Sequence, residues 1–347
     1  MNRFHERFST TRRRLCAGLA AGGLAAAMKP AELLAATNVC LFADEALARY
    51  GFPDGHPLGT DRQGAFLLEA SSRGLLQRVH LRKGRAASPT EIGRFHTAQY
   101  VTKVQTAEAK GLAMLEEDGT PVFPGVFEAA AHVVGAALSG LELVMSGECR
   151  RSFQPIGGWH HATRARAAGF CVFNDLGVVI ETLRQCYGVR RVAYVDIDVH
   201  FGDGVFYAFE GDPDLIFADI HQDGRTLYPG TGHREETGAG AARGTKLNIP
   251  LAPGAGDADF LAAWPEVEAH LSAFAPEFVV FQCGADGLGG DPLAGLNYSP
   301  RVHAHATAQL RALAERTASG RIMAFGGGGY NRSNMARAWS EVMAALS

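Results

Sequence analysis

An α/β fold built on one mainly parallel sheet is what this sequence predicts, and three observations carry the prediction. Nearly continuous apolar, β-rich runs recur: "RVAYVDI" (191–197), "LIFADI" (215–220), "FVVFQC" (278–283) and "IMAF" (322–325). Runs of this kind suit parallel strands covered on both faces. Longer stretches with helical patterning separate them, the βαβ alternation of an α/β domain. Each run ends in a polar cluster: "DIDVHFGDG", "HQDG", "GADGLGGDP" and "GGGGYN". In open α/β sheets the functional site forms outside the carboxyl ends of the strands, so four such clusters imply one site along one sheet edge.

Taken in chain order, residues 1–37 stand apart from the rest. Arg12, Arg13 and Arg14 precede an Ala/Gly/Leu run from Leu15 to Met28 that holds no acidic residue, and Ala35 and Ala36 follow. This resembles a bacterial twin-arginine export signal. A disordered basic tail or a poor start-site choice, with the chain remaining cytoplasmic, and an organelle transit peptide are the other readings. The run is too short for an ordinary membrane span. From residue 38 to residue 347 we read a single domain with no internal repeat. Asn174 or Asp175 caps a helix whose Leu176, Val179, Ile180, Leu183 and Tyr187 form one stripe, with Gly188 ending it. Residues 258–274, 301–318 and 333–346 read as further helices, the first with a kink expected at Pro265.

Composition narrows the function classes. The 347 residues are 47% hydrophobic and 20% charged, with a net charge of −3. That is globular, and without a basic block it offers no nucleic-acid footprint. The six cysteines form no CxxC pair, so neither a zinc ribbon nor a redox pair is expected, and no disulfide framework is required. Cys186 and Cys283 fall in apolar runs and read as core thiols.

The stretch "YVDIDVHFGDGV" (194–205) places Asp196, Asp198, His200 and Asp203 at the end of a buried strand. Buried carboxylates need partners, and a divalent metal is one. Residues i and i+2 share a strand face, so Asp198 and His200 point together. With Asp286 from another strand end they make three N/O ligands, leaving a fourth position open as in a catalytic zinc site. An ion-paired strand end is the bland reading of the DxDxH pattern alone. Hydrolysis at a metal also needs a base and a group to steady the developing oxyanion. His160 and His161, in the Gly-rich "GGWHHATRARAAGF", suit the first role, with Asp196 and Asp203 able to fix their tautomers. Tyr330, after four glycines, can donate its phenol to a polarised carbonyl.

Together these motifs resemble the histone deacetylase superfamily on the arginase/deacetylase fold, closest in wording to class I enzymes and their bacterial acetoin-utilisation relatives. "VFPGVFEAAAHVVGAAL", "GGWHHA", "GFCVFND", "YVDIDVHFGDGV", "YPGTG", "GADGLGGDPLAG" and "GGGGYN" occur in the family order. The resemblance implies a central sheet of about eight strands flanked by helices. It makes Asp198, His200 and Asp286 the zinc ligands, with ferrous iron as the alternative metal. His161 becomes general base and acid, and His160 its electrostatic partner. Asp203 and Asp196 support these histidines, and Tyr330 polarises the carbonyl. Gly169, Phe170 and Tyr228 become walls of a narrow acyl-lysine tunnel. A structural potassium site would draw on Asp196, Asp198, His200, Asp219 and Ile220, partly through backbone carbonyls. The chain departs from the family at Phe201, usually a second histidine; at Asp219, where serine is common; and at His233, usually acidic. The family's rim aspartate, which grips substrate backbone, aligns near Asp118–Gly119.

The expected activity is therefore metal-dependent removal of acetyl or other acyl groups from a lysine-like amine on a peptide, protein or small molecule. Acetylpolyamines are the alternative substrate class. Leu293 occupies the position where polyamine-selective relatives carry an acidic gatekeeper, and its apolar side chain favours acyl-lysine. A non-catalytic binder that keeps the fold should have lost a ligand or the tyrosine, and none is lost. A binuclear manganese hydrolase is disfavoured by the His-His pair and "GGGGY".

Overall fold

In the computed structural model, residues 38–347 are described, except Asp54, Glu117 and Asp118. The export-signal reading of residues 1–37 and the rim-aspartate alignment at Asp118 thus fall outside the described residues. These described residues form one unit.

Ten strands are described: β1 (Val39–Phe42), β2 (His80–Arg82), β3 (Met114–Glu116), β4 (Thr120–Pro121), β5 (Arg151–Gln154), β6 (Val192–Asp196), β7 (Leu215–Gln222), β8 (Lys246–Leu251), β9 (Phe278–Gln282) and β10 (Ile322–Phe325). Eight of them form one sheet in the order β2-β1-β5-β10-β9-β6-β7-β8, and every pairing in it is parallel. Strands β3 and β4 make a separate antiparallel pair. The expected sheet is therefore present. Every residue of β1, β5, β6, β7, β9 and β10 is buried, which is why their sequences do not alternate.

The helices are α1 (Arg62–Ser72), α2 (Pro89–Ile92), α3 (Ala98–Ala107), α4 (Val126–Ser146), α5 (Asp175–Tyr187), α6 (Asp203–Ala208), α7 (Asp257–Phe274), α8 (Pro300–Thr317) and α9 (Arg332–Leu346). Helix α5 starts and stops where its sequence signals lie. The Asn174 side chain accepts from Gly177 N, and Gly188 closes the helix at φ +67°. Helix α7 continues through Pro265. By length and composition α4 could cross a membrane, but most of it is buried and it packs on β5 and α5 as a core helix.

The register of the central strands aims the site. Asp196 lies level with Gln282 on β9 and with Asp219 on β7. The pairing then runs one residue further, with Ile197 N donating to Gln282 O. The chain beyond β6 thus leaves the sheet between the ends of β9 and β7.

The cysteines differ from expectation in two respects. Cys40 on β1 and Cys149 just before β5 form a disulfide, with Cα atoms 6.0 Å apart. Their 109-residue separation hides the pairing in the sequence, whereas the adjacency of β1 and β5 creates it. Cys283 is buried, but Cys186 is exposed on the outer side of the last turn of α5.

Candidate active site

The His-His loop is held by the helix that follows it. Asp175, fully buried at the start of α5, accepts from Gly158 N (2.9 Å) and Trp159 N (2.8 Å). Asn174 Nδ2 donates to His160 O and Ala162 O. On the far side Val205 N, in α6, also donates to His160 O. These bonds satisfy loop carbonyls and amides that would otherwise be buried unpaired.

So placed, the two histidines form parallel dyads. His160 Nδ1 lies 2.8 Å from Asp196 Oδ2, and His161 Nδ1 lies 2.6 Å from Asp203 Oδ1. Their Nε2 atoms face each other at 3.2 Å. The two rings are equally buried but differently charged. Burial opposes charge on His160, yet the Asp196 and Asp198 carboxylates outweigh it and push its pKa up to about 9. Burial, reinforced by the neighbouring His160 charge, pushes His161 down to about 4 against the pull of Asp203. At neutral pH one imidazole is a cation and the other an available base.

Asp198, His200 and Asp286 meet beside them, their ligand atoms all within 4.8 Å of one another. His200 Nδ1 is 3.1 Å from Asp198 Oδ1 and 3.3 Å from Asp286 Oδ2. Both carboxylates are essentially without solvent exposure. Burial, with repulsion from Asp198, pushes the Asp286 carboxyl up to about 6. Asp286 Oδ2 is buried and has no hydrogen-bond partner of sound geometry. An orphaned oxygen in a pair of crowded carboxylates beside an imidazole fits a divalent cation, and three protein ligands leave one position open. The site admits no bulk on its glycine side. A Cβ on Gly328 would stand 2.0 Å from Asp286 Oδ2 and 2.9 Å from Asp198 Oδ2.

A cavity of about 250 Å³ leads to this cluster, lined by His161, Gly169, Phe170, His200, Leu227, Tyr228, Leu293 and Tyr330. The three expected wall residues, Gly169, Phe170 and Tyr228, line it together with Leu293 at the gatekeeper position, and Leu227 joins them. Gly169 has φ +51°, and a Cβ there would fall 2.3 Å from His161 Cδ2, so a side chain would displace that imidazole. Phe170 is itself left-handed at φ 69°. The loop is tied down by Tyr50, whose hydroxyl donates to Phe170 O (2.8 Å) and accepts from Val172 N (3.0 Å). The Tyr228 ring stands 5.0 Å from that of His161 and the Tyr330 ring 6.2 Å from that of Phe170. None of these lining residues is acidic. A larger surface cavity of about 680 Å³, beside Thr97, Tyr100 and Lys103, holds none of these groups.

Asp219 and Ile220 are buried on β7. Both oxygens of Asp219 are engaged: Oδ2 accepts from Gly202 N (2.9 Å), and Oδ1 lies 2.7 Å from His221 Nδ1. His221 Nε2 faces Gly232 O at 2.9 Å. Both ring nitrogens of His221 thus face oxygen atoms. Burial opposes charge on this ring, but Asp219 outweighs it and raises the pKa.

Several supporting residues carried no sequence signal. Gln282 Nε2 donates to Asp198 Oδ2 (2.9 Å), as does Gly328 N (2.8 Å). The Tyr194 hydroxyl donates to Asp196 Oδ2. Arg62, fully buried, reaches Gly327 O (2.6 Å) and Gly329 O (3.0 Å) in the glycine run before Tyr330.

Comparison with known proteins agrees with this geometry. A family model described as "Histone deacetylase domain" matches residues 56–346. The acetoin utilization protein AcuC of Bacillus subtilis is 37% identical over 267 residues, covering 74% of this chain and 69% of that protein. Histone deacetylase RPD3 of Saccharomyces cerevisiae is 32% identical over 312 residues, covering 87% and 70%. AcuC of Staphylococcus xylosus is 32% identical over 320 residues, covering 89% and 82%.

Proposed function

Because the chain belongs to the histone deacetylase family, whose members hydrolyse amide bonds, we propose that it is a zinc-dependent amidohydrolase that removes acetyl or related acyl groups from lysine-like amines. The observation that carries this reading is the Asp198/His200/Asp286 cluster at the floor of a tunnel without an acidic lining residue, beside one charged and one neutral histidine. Asp198, His200 and Asp286 would hold zinc, or ferrous iron in its place. Such a cation polarises the amide carbonyl and acidifies water. His161 Nε2 takes the proton of the attacking water and returns it to the leaving amine. Asp203 fixes the other nitrogen of that ring. His160, held charged by Asp196, adds a positive field to a site that gains negative charge. The Tyr330 hydroxyl donates to the carbonyl oxygen. A structural potassium ion would belong to the same reading, with Asp196, Asp198, His200, Asp219 and Ile220 holding it partly through backbone carbonyls; the carboxylate oxygens of Asp219 are already engaged.

Phe170, Tyr228 and Leu293 suit an extended uncharged chain, and without a carboxylate among the lining residues nothing there attracts the cationic arm of a polyamine. Assayed on a panel of acyl-lysine peptides and acetylpolyamines, the purified zinc-loaded protein is expected to prefer the peptides in kcat/KM. Preference for the polyamines would overturn the substrate assignment.

Export through the twin-arginine route is part of the same proposal. The Arg12-Arg13 pattern before a weakly apolar run supports it, as does a disulfide in the folded domain, since such bonds persist in oxidising compartments. Substituting lysine for Arg12 and Arg13 should retain the protein in the cytoplasmic fraction of a bacterial host. A wild-type protein that is itself cytoplasmic, with an uncleaved N-terminus, would reject this part.

A further inference from the structure

We propose that Asp291 is the positioning residue of the Tyr330 phenol, setting its place through the backbone and coupling it to the tunnel wall at Leu293. This rests on the amidohydrolase reading of the site. Asp291 is 7% exposed and lies in the loop between β9 and α8. Its Oδ2 accepts from Tyr330 N (2.8 Å) and Asn331 N (3.2 Å), and its Oδ1 accepts from Leu293 N (3.1 Å). One carboxylate therefore holds two parts of the cavity lining that come from different loops.

Tyr330 needs such a clamp because its own chain gives it little. Four glycines precede it, with Gly327 at φ +66° and Gly329 at φ +120°. A backbone so permissive does not by itself fix the direction of the next side chain, and Arg62 holds only the carbonyl side of the run, at Gly327 O and Gly329 O. The carbonyl of Tyr330 is held from the other side by Arg332 Nη1 (3.0 Å), whose Nη2 pairs with Asp61 Oδ1 at 2.7 Å. The arginine pair is partly exposed, at 29% and 65% of side-chain surface, whereas the aspartate is buried. Charge-assisted bonds to backbone N–H are the stronger kind, and burial spares them screening. The phenol makes its decisive contact only as charge develops on the substrate oxygen, so displacement of about 1 Å is costly.

The test is a double-mutant cycle between Asp291→Asn and Tyr330→Phe. The asparagine is isosteric, but one of its terminal atoms becomes an NH₂ group. Pointed at the Tyr330 and Asn331 amides it opposes two donors; flipped, it opposes the Leu293 amide. Alone, Asp291→Asn should lower kcat on an acetyl-lysine peptide by on the order of 10–100-fold. It should lower kcat far less on the trifluoroacetyl peptide and leave bound metal unchanged. In the Tyr330→Phe background the same substitution should cost no more than about twofold, because the group it positions is gone. Equal losses in both backgrounds, or none in either, would overturn the inference. Asp291→Ser, which keeps one acceptor, carries the same comparison if the asparagine variant does not fold. Failure of both to fold would assign the carboxylate to the fold and reject the proposal. If the unmutated protein turned over neither acyl-lysine nor acetylpolyamine, the reading of the site would fall and this inference with it. Turnover with additive losses would sink the inference alone.

Discussion

Asp286→Ala should abolish tight divalent-cation binding and reduce hydrolysis to background while leaving the fold largely intact. The cluster offers three candidate ligands, and removing one leaves Asp198 and His200. Asp286 is also the one whose outer oxygen has no protein partner of sound geometry, so its charge is the one most in need of a cation. Its loss strips Val199 N of an acceptor at 3.1 Å, a cost of about 1–3 kcal/mol. It also removes a buried carboxylate that Asp198 repels, which offsets part of that cost. Metal content of the purified variant, measured beside its thermal unfolding and its turnover, checks the result. Full activity in a metal-free preparation would rule out the proposed chemistry.

Tyr330→Phe should bind metal and substrate nearly as the wild type does, yet turn over acetyl-lysine ~10²–10³ more slowly, or roughly 3–4 kcal/mol in the barrier. The ring and its contact with Phe170 stay, and only the hydroxyl is lost. A donor that matters more in the transition state than in the ground state lowers kcat without raising KM. Trifluoroacetyl amides, whose carbonyl needs less polarisation, should lose less. Equal acetyl-lysine turnover by variant and wild type would remove Tyr330 from the chemistry.

The parts of this molecule legible in the sequence are those written in consecutive residues. Strands β6, β7, β9 and β10 are buried on both faces and so read as apolar runs. Helix α5 carries both its caps within its own segment. Strand β5 escaped because Arg151, Ser152 and Gln154 break the run. Arg151 is buried only because Leu346 O and Glu315 receive it, nearly two hundred residues away for the first. The chemical groups were legible as well, since metal ligands and imidazoles are scarce residue types with few other reasons to cluster. Their supports were not. Gln282 looks like a polar interruption of a strand, and Asp291 like a turn former, until the sheet brings Asp198 and Tyr330 to them. Cys186 was misplaced for a related reason: an apolar neighbourhood in sequence does not say which side of the helix a residue occupies.

The cavity wall is assembled from four separate loops, at Gly169–Phe170, Leu227–Tyr228, Leu293 and Tyr330, whereas the candidate cation ligands lie two to four residues beyond the ends of β6 and β9 and are hydrogen-bonded to one another's segments. That difference has an evolutionary consequence. Loops vary readily, whereas segments tied to buried strand ends in this way do not. Descendants of this chain can therefore drift at Leu227 or Leu293 and acquire new substrates without dismantling the hydrolytic apparatus. Gly169, pressed against His161, is where that freedom stops.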